Sequence, residues 1–419
     1  MTMSTGVLIV GGSVAGLRTA EALRRHSYDG PVTLLEAGGD LPYDRPAVSK
    51  KLLGEGGATA SVHLRSRQDL DKAGIEVRLG TRAAALDSTR RTVHLAGGAA
   101  IEYGGLVLAT GARARELPGL PRPAVHYLRD LADAHRLRGE LGSARSAVVV
   151  GAGFIGSEVA AAIAERGAEV TVVEPAGYPL GRVLGQVVGA RLARLHESRG
   201  VRLLPGRSVT GVHCDRGRQA RYSVVLDDGQ VLPADLVVAG VGALPNTEWL
   251  GGSGLEVDDG VVCDEFCRAS APGVFAAGDV ARWPNGLFSE SMRVEHWTNA
   301  IEQAAVVAWN IVHPDEPRGY APVPYVWSDQ YGLRLQIVGR PRAADEVHIV
   351  EDDPAAAVLV ALYAREGRMT GAFTLNAPSR LLALRRALAA RASLAQVLGE
   401  PAADTATGAV LQHSAYKML

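Results

Sequence analysis

An α/β fold with two parallel-sheet units and a C-terminal α+β portion is what the sequence predicts, on three observations. First, Ala147 to Glu174 reads AVVVGAGFIGSEVAAAIAERGAEVTVVE. It places an apolar strand (147–150), Gly151-x-Gly153-x-x-Gly156, a helical apolar face from Ile155 to Arg166 and a second strand from Val170 to Val173 in register. Glu174 closes it, 23 residues after Gly151. Second, the N-terminus repeats the order: strand Val7 to Val10, Gly11-Gly12-Ser13-Val14-Ala15-Gly16, a helix through Leu23, strand Val32 to Leu35, and Glu36, 25 residues after Gly11. Third, the composition changes near His313. Beyond it, Tyr325 to Tyr331, Leu333 to Val338, Val358 to Tyr363 and Met369 to Asn376 suggest an antiparallel sheet, with helices at Ser379–Ala389 and Leu394–Leu398.

Each part of the central unit has a physical task, and together they make a Rossmann-like dinucleotide site. Gly151 permits the strand-to-helix turn, Gly153 lets backbone approach a pyrophosphate, and Gly156 lets the helix pack close to the strand. The phosphates then meet the N–H groups at the helix start, here Phe154 and Ile155. Glu174 is placed to accept from a ribose diol. In the N-terminal copy Ser13 replaces the middle glycine, and its hydroxyl can itself donate to phosphate. Gly11, Ser13, Val14, Ala15, Gly16 and Glu36 are therefore the candidate binding residues of that copy. One chain with two such units points to two different cofactors, a flavin dinucleotide and a nicotinamide dinucleotide.

A chain of 419 residues predicts two or three domains. With 47% hydrophobic residues, 21% charged and a net charge of −1, it is not built to hold nucleic acid or an anionic membrane by bulk charge. Its three cysteines, Cys214, Cys263 and Cys267, are too few for an iron–sulfur cluster or a Cys-only zinc site, so no metal is expected and any cluster lies on another protein. They read as reduced structural thiols. No run approaches 18 apolar residues, and Gly6 to Leu17 lacks the basic region of a signal peptide, so a cytoplasmic protein is expected.

Six ordered segments carry a family resemblance. Pro42-Tyr43-Asp44-Arg45-Pro46-Ala47-Val48-Ser49-Lys50, in which Ala47 to Leu53 reads as a short helix presenting Lys50, is similar to the P-Y-x-R-P-x-L-S-K segment of the ferredoxin reductases that serve oxygenases and cytochromes P450. Val48 stands where that family has leucine. Ala109-Thr110-Gly111-Ala112-Arg113 follows a strand-rich stretch, 75–108, and resembles the family's crossover between domains. Gly240-Val241-Gly242-Ala243-Leu244-Pro245-Asn246 resembles the return. His126 to Arg129, Val274 to Val280 (a strand running into a helix) and Arg293 to Ala300 complete the set.

The resemblance implies FAD contacts from Arg45, Lys50, Ala109, Thr110, Gly111, Arg129, Gly278, Asp279, Glu295, His296 and Trp297, and a nicotinamide contact near Gly242. Asp279 would lie against the ribityl chain and pyrophosphate. The implied division is a discontinuous FAD domain (1–112 and 244–313), an inserted NAD domain (113–243), a C-terminal domain (314–402) and a tail (403–419).

The implied activity is electron transfer from NADH, NADPH being the poorer donor, through FAD to a separate iron–sulfur ferredoxin. Lys50, Glu158 and Trp297 are the implied catalytic residues. The family pairs this glutamate with the lysine near the flavin, and places the tryptophan where electrons leave. A monomer or weak homodimer is expected. Ferredoxins are usually acidic, and Arg334, Arg340, Arg342, Arg380, Arg385 and Arg386 are candidates to receive one, the last two together on a helix. A rubredoxin reductase, an NADH oxidase, and a redox-responsive binding protein like apoptosis-inducing factor stay open beside this reading. A disulfide reductase is disfavoured, because no cysteine pair follows the first glycine motif.

Overall fold

The computed structural model describes residues 6–54, 62–120, 122, 124–215 and 220–399; residues 400–402 and the tail 403–419 lie outside these. Val7–Val10 is buried along its whole length because it lies between two parallel neighbours, Val32–Leu35 and Gly105–Leu108. Ile75–Arg78 and Val274–Ala276 complete a five-stranded parallel sheet. A second parallel sheet repeats the scheme, in the order 202–205, 169–174, 146–150, 236–239, 126–127. In both, the strand leading into the glycine turn is central, so each turn opens where ligands of open α/β sheets bind, beyond the carboxyl ends of the strands.

The chain leaves the first sheet and returns to it through a two-stranded antiparallel ribbon, Ala112–Ala114 against Ala243–Pro245. A reciprocal pair fastens the crossing: Thr110 Oγ1 donates to the Asn246 carbonyl (2.9 Å) and Asn246 Nδ2 donates to the Thr110 carbonyl (2.8 Å). Since Val274–Ala276 then joins the first sheet, the second sheet is an insertion within the first unit.

The C-terminal sheet is antiparallel, in the order 325–330, 333–339, 368–375, 358–365, 346–353. Its alternating residues serve two cores. Leu335, Ile337, Leu359 and Phe373 face Leu184, Val188 and Leu192 of the helix Gly181–Ser198, whereas Val338, Val360, Leu362 and Ala372 face Leu384 and Leu388 of the helix Pro378–Ala389. The sheet is thereby packed directly on the second unit.

Several local expectations change. The strand-rich stretch 75–108, expected as a single β-rich insertion, is divided: its first and last strands belong to the parallel sheet, and only 83–87, 92–95 and 100–102 form a separate antiparallel sheet. The helix expected over Ala47 to Leu53 stops at Ser49, leaving Lys50 as its C-cap with φ −110° and ψ −88°, while Leu52 and Leu53 turn inward to the core. The strand Val274–Ala276 runs not into an α-helix but into one 3₁₀ turn, Gly278–Val280, and on to the strand 281–285; Gly278 sits at φ +76°, outside helical backbone. The strand Glu346–Asp353 was not anticipated. It is a charged sheet edge, a composition that protects edges and hides them from apolar-run reading.

Candidate functional site

The glycine positions of the two motifs are sterically enforced. Gly11 has φ +115°, and a Cβ there would lie 2.1 Å from the Ala109 carbonyl oxygen; one on Gly16 would lie 1.9 Å from that of Gly11. Gly151 and Gly156 repeat this against the Gly240 carbonyl (2.6 Å) and the Gly151 carbonyl (1.9 Å). Each turn feeds a helix, Val14–Arg25 or Phe154–Ala164, whose N-cap supplies no side-chain hydrogen bond, so both helix starts are left to an outside acceptor. Gly153 and Gly242 have open space around them, the nearest atom to a Cβ on Gly153 being 3.8 Å away.

The two terminal acids are held alike. Glu36 accepts from the N–H groups of Gly12 (2.9 Å) and Gly38 (2.7 Å), and Glu174 from those of Ala152 (2.6 Å) and Ala176 (2.6 Å). Each carboxylate is thus fixed against the turn, with lone pairs to spare for a diol.

Around the first turn the residues named from sequence come together in a chain of contacts. Arg45 Nε donates to Ser13 Oγ (2.8 Å) and its Nη1 to the Arg129 carbonyl (3.2 Å). Arg129 donates to the Ala112 carbonyl (2.7 Å) and forms an ion pair with Asp279 (2.8 Å). The Gly278 N–H donates to buried Gln303, and a Cβ on Gly278 would strike Ala15 Cβ at 2.9 Å, so the Asp279 turn abuts the first helix start. Gly111, at φ +63°, passes beside Arg129. Glu295 pairs with Arg293 (2.6 Å), which also donates to the Asp279 carbonyl (3.1 Å).

Two inaccessible polar atoms at this place, Arg293 Nε and His296 Nδ1, lack a partner among the described residues, while the Asp44 carboxyl and the Trp297 indole meet each other. Burial raises the Asp44 carboxyl above its usual range and lowers the His296 imidazole to about 4. Partnerless buried groups call for a polar ligand. With the uncapped helix starts and glycine cradles, they fit a dinucleotide cofactor. The Trp297 ring meets Trp327 edge-on at 5.9 Å.

Between the two turns lies Glu158, 4% exposed and on the first turns of the second helix. It is ion-paired with Lys50, and it accepts from Ser49 Oγ at Oε2 (2.6 Å) and from Ser328 Oγ at Oε1 (2.6 Å). The Lys50–Glu158 pair expected from sequence is thus assembled, together with two serines the sequence did not single out. Ser49 stood beside the named lysine and was legible in principle; Ser328 lies 170 residues from Glu158 and had no local signal. Ile155, at the same helix start, is 38% exposed, while Phe154 packs on the C-terminal sheet's core.

Five of the six candidate docking arginines are ion-paired, and Arg385 and Arg386 line one pocket together with Arg391. Arg334 pairs with Asp329, Arg340 and Arg342 with Glu290, Arg380 with Glu351, and Arg385 with Glu302. Arg386 alone of the six is without an ion pair among the described residues, while Arg385 reaches Glu302 of the helix Trp297–Val312. Cys263 and Cys267 are buried, which pushes both thiols up, Cys267 to about 12; Cys214 is exposed, and none is bonded to another.

Comparison with known proteins agrees with this geometry. Residues 5–304 match the pyridine nucleotide-disulphide oxidoreductase family, and residues 325–407 match the reductase C-terminal family. The chain is 39% identical to the ferredoxin–NAD(+) reductase component of the anthranilate 1,2-dioxygenase system of Burkholderia cepacia, over 92% of this chain and 94% of that one. It is 36% identical to rhodocoxin reductase of Rhodococcus erythropolis, over 95% and 92%. It superposes on the reductase in a covalent putidaredoxin reductase–putidaredoxin complex with a TM-score of 0.89 at 32% identity, covering 95% of this chain and 96% of the other.

Proposed function

The chain belongs to the pyridine nucleotide-disulphide oxidoreductases, and from that premise we propose that it is a flavoprotein reductase carrying electrons from NADH through FAD to a separate iron–sulfur ferredoxin of an oxygenase or cytochrome P450 system. When bound, FAD would supply the redox chemistry that links a two-electron nicotinamide donor to a one-electron acceptor.

The protein's part is binding and orientation. In this reading the helix start at Val14–Gly16 and Ser13 would hold the FAD pyrophosphate, Glu36 its ribose, and Arg45, Ala109–Gly111, Arg129 and Gly278–Asp279 the rest of the chain. Glu295, His296 and Trp297 would border the ring. Gly151–Gly156, Glu174 and Gly242 would hold the nicotinamide cofactor. Lys50, anchored by Glu158, would present a cation where negative charge develops. The corresponding division is 1–112 with 244–313 for FAD, 113–243 for NAD and 314–402 for the C-terminal domain.

The observation that carries the reading is the Lys50–Glu158 ion pair, which joins the segment beside the first turn to the helix of the second. The disulphide chemistry in the family's name does not extend to this chain, whose first cysteine is Cys214 and whose other two thiols are buried and held protonated. Among the described residues no helix is long and apolar enough to cross a membrane. We take the protein as cytoplasmic and as a monomer or weak homodimer.

The test is NADH-dependent reduction of cytochrome c by the flavin-loaded protein with a panel of ferredoxins. Stimulation by an acidic iron–sulfur ferredoxin is expected. Fast oxygen consumption without any carrier, and no stimulation by any ferredoxin, would replace the reading with an oxidase.

A further inference from the structure

Glu158 is 4% exposed, so its geometry is set chiefly by the groups that donate to it. Two of these, Ser49 and Lys50, come from one segment. The third, Ser328, comes from the strand Tyr325–Gln330 of the C-terminal sheet. Ser328 is fully buried and is itself held: Gln330 Nε2 donates to its Oγ at 3.1 Å.

An amide N–H can only donate, so the serine oxygen is the acceptor in that bond, and its single proton is left for Glu158 Oε1. The contacts therefore run in one direction, from Gln330 to Ser328 to Glu158. Lys50 completes the carboxylate from the other side at the same oxygen. A carboxylate with both oxygens engaged has one orientation, and Lys50, as the C-cap of a four-residue helix, has no regular backbone of its own to fix where its ammonium sits.

We propose that Ser328, oriented by Gln330, is a positioning residue for electron transfer: it fixes Glu158, and through Glu158 the Lys50 ammonium. The C-terminal domain thus has a share in setting up the first half of the reaction, apart from any contact it makes with a ferredoxin. The inference rests on the role given above to Lys50 and Glu158.

The test is a double-mutant cycle read by stopped-flow reduction of the FAD-loaded protein with NADH. Ser328→Ala should lower the limiting rate of flavin reduction by about tenfold, the scale of a lost hydrogen bond to a charged group, with the NADH Kd changed by less than about twofold. In a Glu158→Gln background, where there is no charge to orient, the same substitution should slow the reaction no further. Equal slowing in both backgrounds would overturn the proposal, because that is what a merely structural serine would give. If Glu158→Gln alone leaves the rate unchanged, it is the underlying role of Glu158 that fails, and this inference with it. Should Ser328→Ala not fold, Gln330→Leu frees the serine hydroxyl while leaving it in place, and the same cycle applies: coupling to Glu158 supports the proposal and additivity overturns it.

Discussion

Replacing Glu174 with Gln tests the choice of nicotinamide cofactor. The wild-type carboxylate accepts two backbone N–H groups, from Ala152 and Ala176, each at 2.6 Å. It cannot swing aside for a 2′-phosphate without leaving both donors unpaired, at about 0.5–1.5 kcal/mol each. If it stays, a phosphate charge at roughly 4 Å meets it with about 1–4 kcal/mol of repulsion, for an effective dielectric constant between about 80 and 20. Salt trims this at a half-buried site, leaving about 1–3 kcal/mol, or roughly tenfold to a hundredfold in favour of NADH. Exposed Arg182, a few residues on, is a cation that could erode it. Glu174→Gln should therefore raise kcat/KM for NADPH by roughly tenfold or more while lowering that for NADH only modestly. The assay is steady-state ferricyanide reduction with each cofactor. An unchanged NADPH value, or a wild-type protein that uses both equally, would refute the reasoning.

Lys50→Met should slow flavin reduction by an order of magnitude or more while NADH Kd stays within about threefold, since in the proposed reading the cation acts on developing charge and not on the adenosine half; stopped-flow rates against binding titrations separate the two. Asp279→Ala breaks the ion pair with Arg129 and should lower the flavin-to-protein ratio after gel filtration, with an unchanged ratio assigning Asp279 to structure alone. His196, buried and hydrogen-bonded to Tyr331, is lowered by burial from 6.5 to about 4. Its unfolded form binds the proton first, so its contribution, about 3 kcal/mol, is present above pH ~6.5 and is lost as the pH falls toward about 4. Chemical denaturation of His196→Gln should show a shallower loss of stability across that window than the wild type.

What was legible in the sequence is what short-range chemistry dictates. Gly11, Gly16, Gly151 and Gly156 can be only glycine because backbone carbonyls stand about 2–2.6 Å from where their Cβ atoms would be, and that constraint is written in the motif spacing. The acids at 36 and 174 follow from the same register. Features decided by distant residues were not legible. Ser328 reaches Glu158 across 170 positions, with no local signal to mark it. The pairing of the candidate docking arginines with Glu290, Glu302 and Glu351, remote in sequence, was not legible either. The helix at Ala47 ends early for a tertiary reason too: Leu52 and Leu53 are drawn into the core beside Leu131 and Leu137, which a local periodicity cannot reveal.

The departure at Ser13 is better explained by the fold than by the motif. The position is roomy in the second unit, where the nearest atom to a Cβ on Gly153 is 3.8 Å off, so the middle glycine of such a turn is demanded by a ligand's approach and not by the chain's own packing. A serine therefore costs the first unit nothing in folding. Its hydroxyl accepts from Arg45, whose other nitrogen reaches the Arg129 carbonyl, and Arg129 in turn holds Asp279. The substitution that weakens the glycine pattern thus adds a tie between the turn and three segments remote from it in sequence. Ser13→Gly would restore the pattern and cut that tie, so it should loosen flavin retention although it makes the motif more regular; tighter retention would show that close backbone approach outweighs the Arg45 contact.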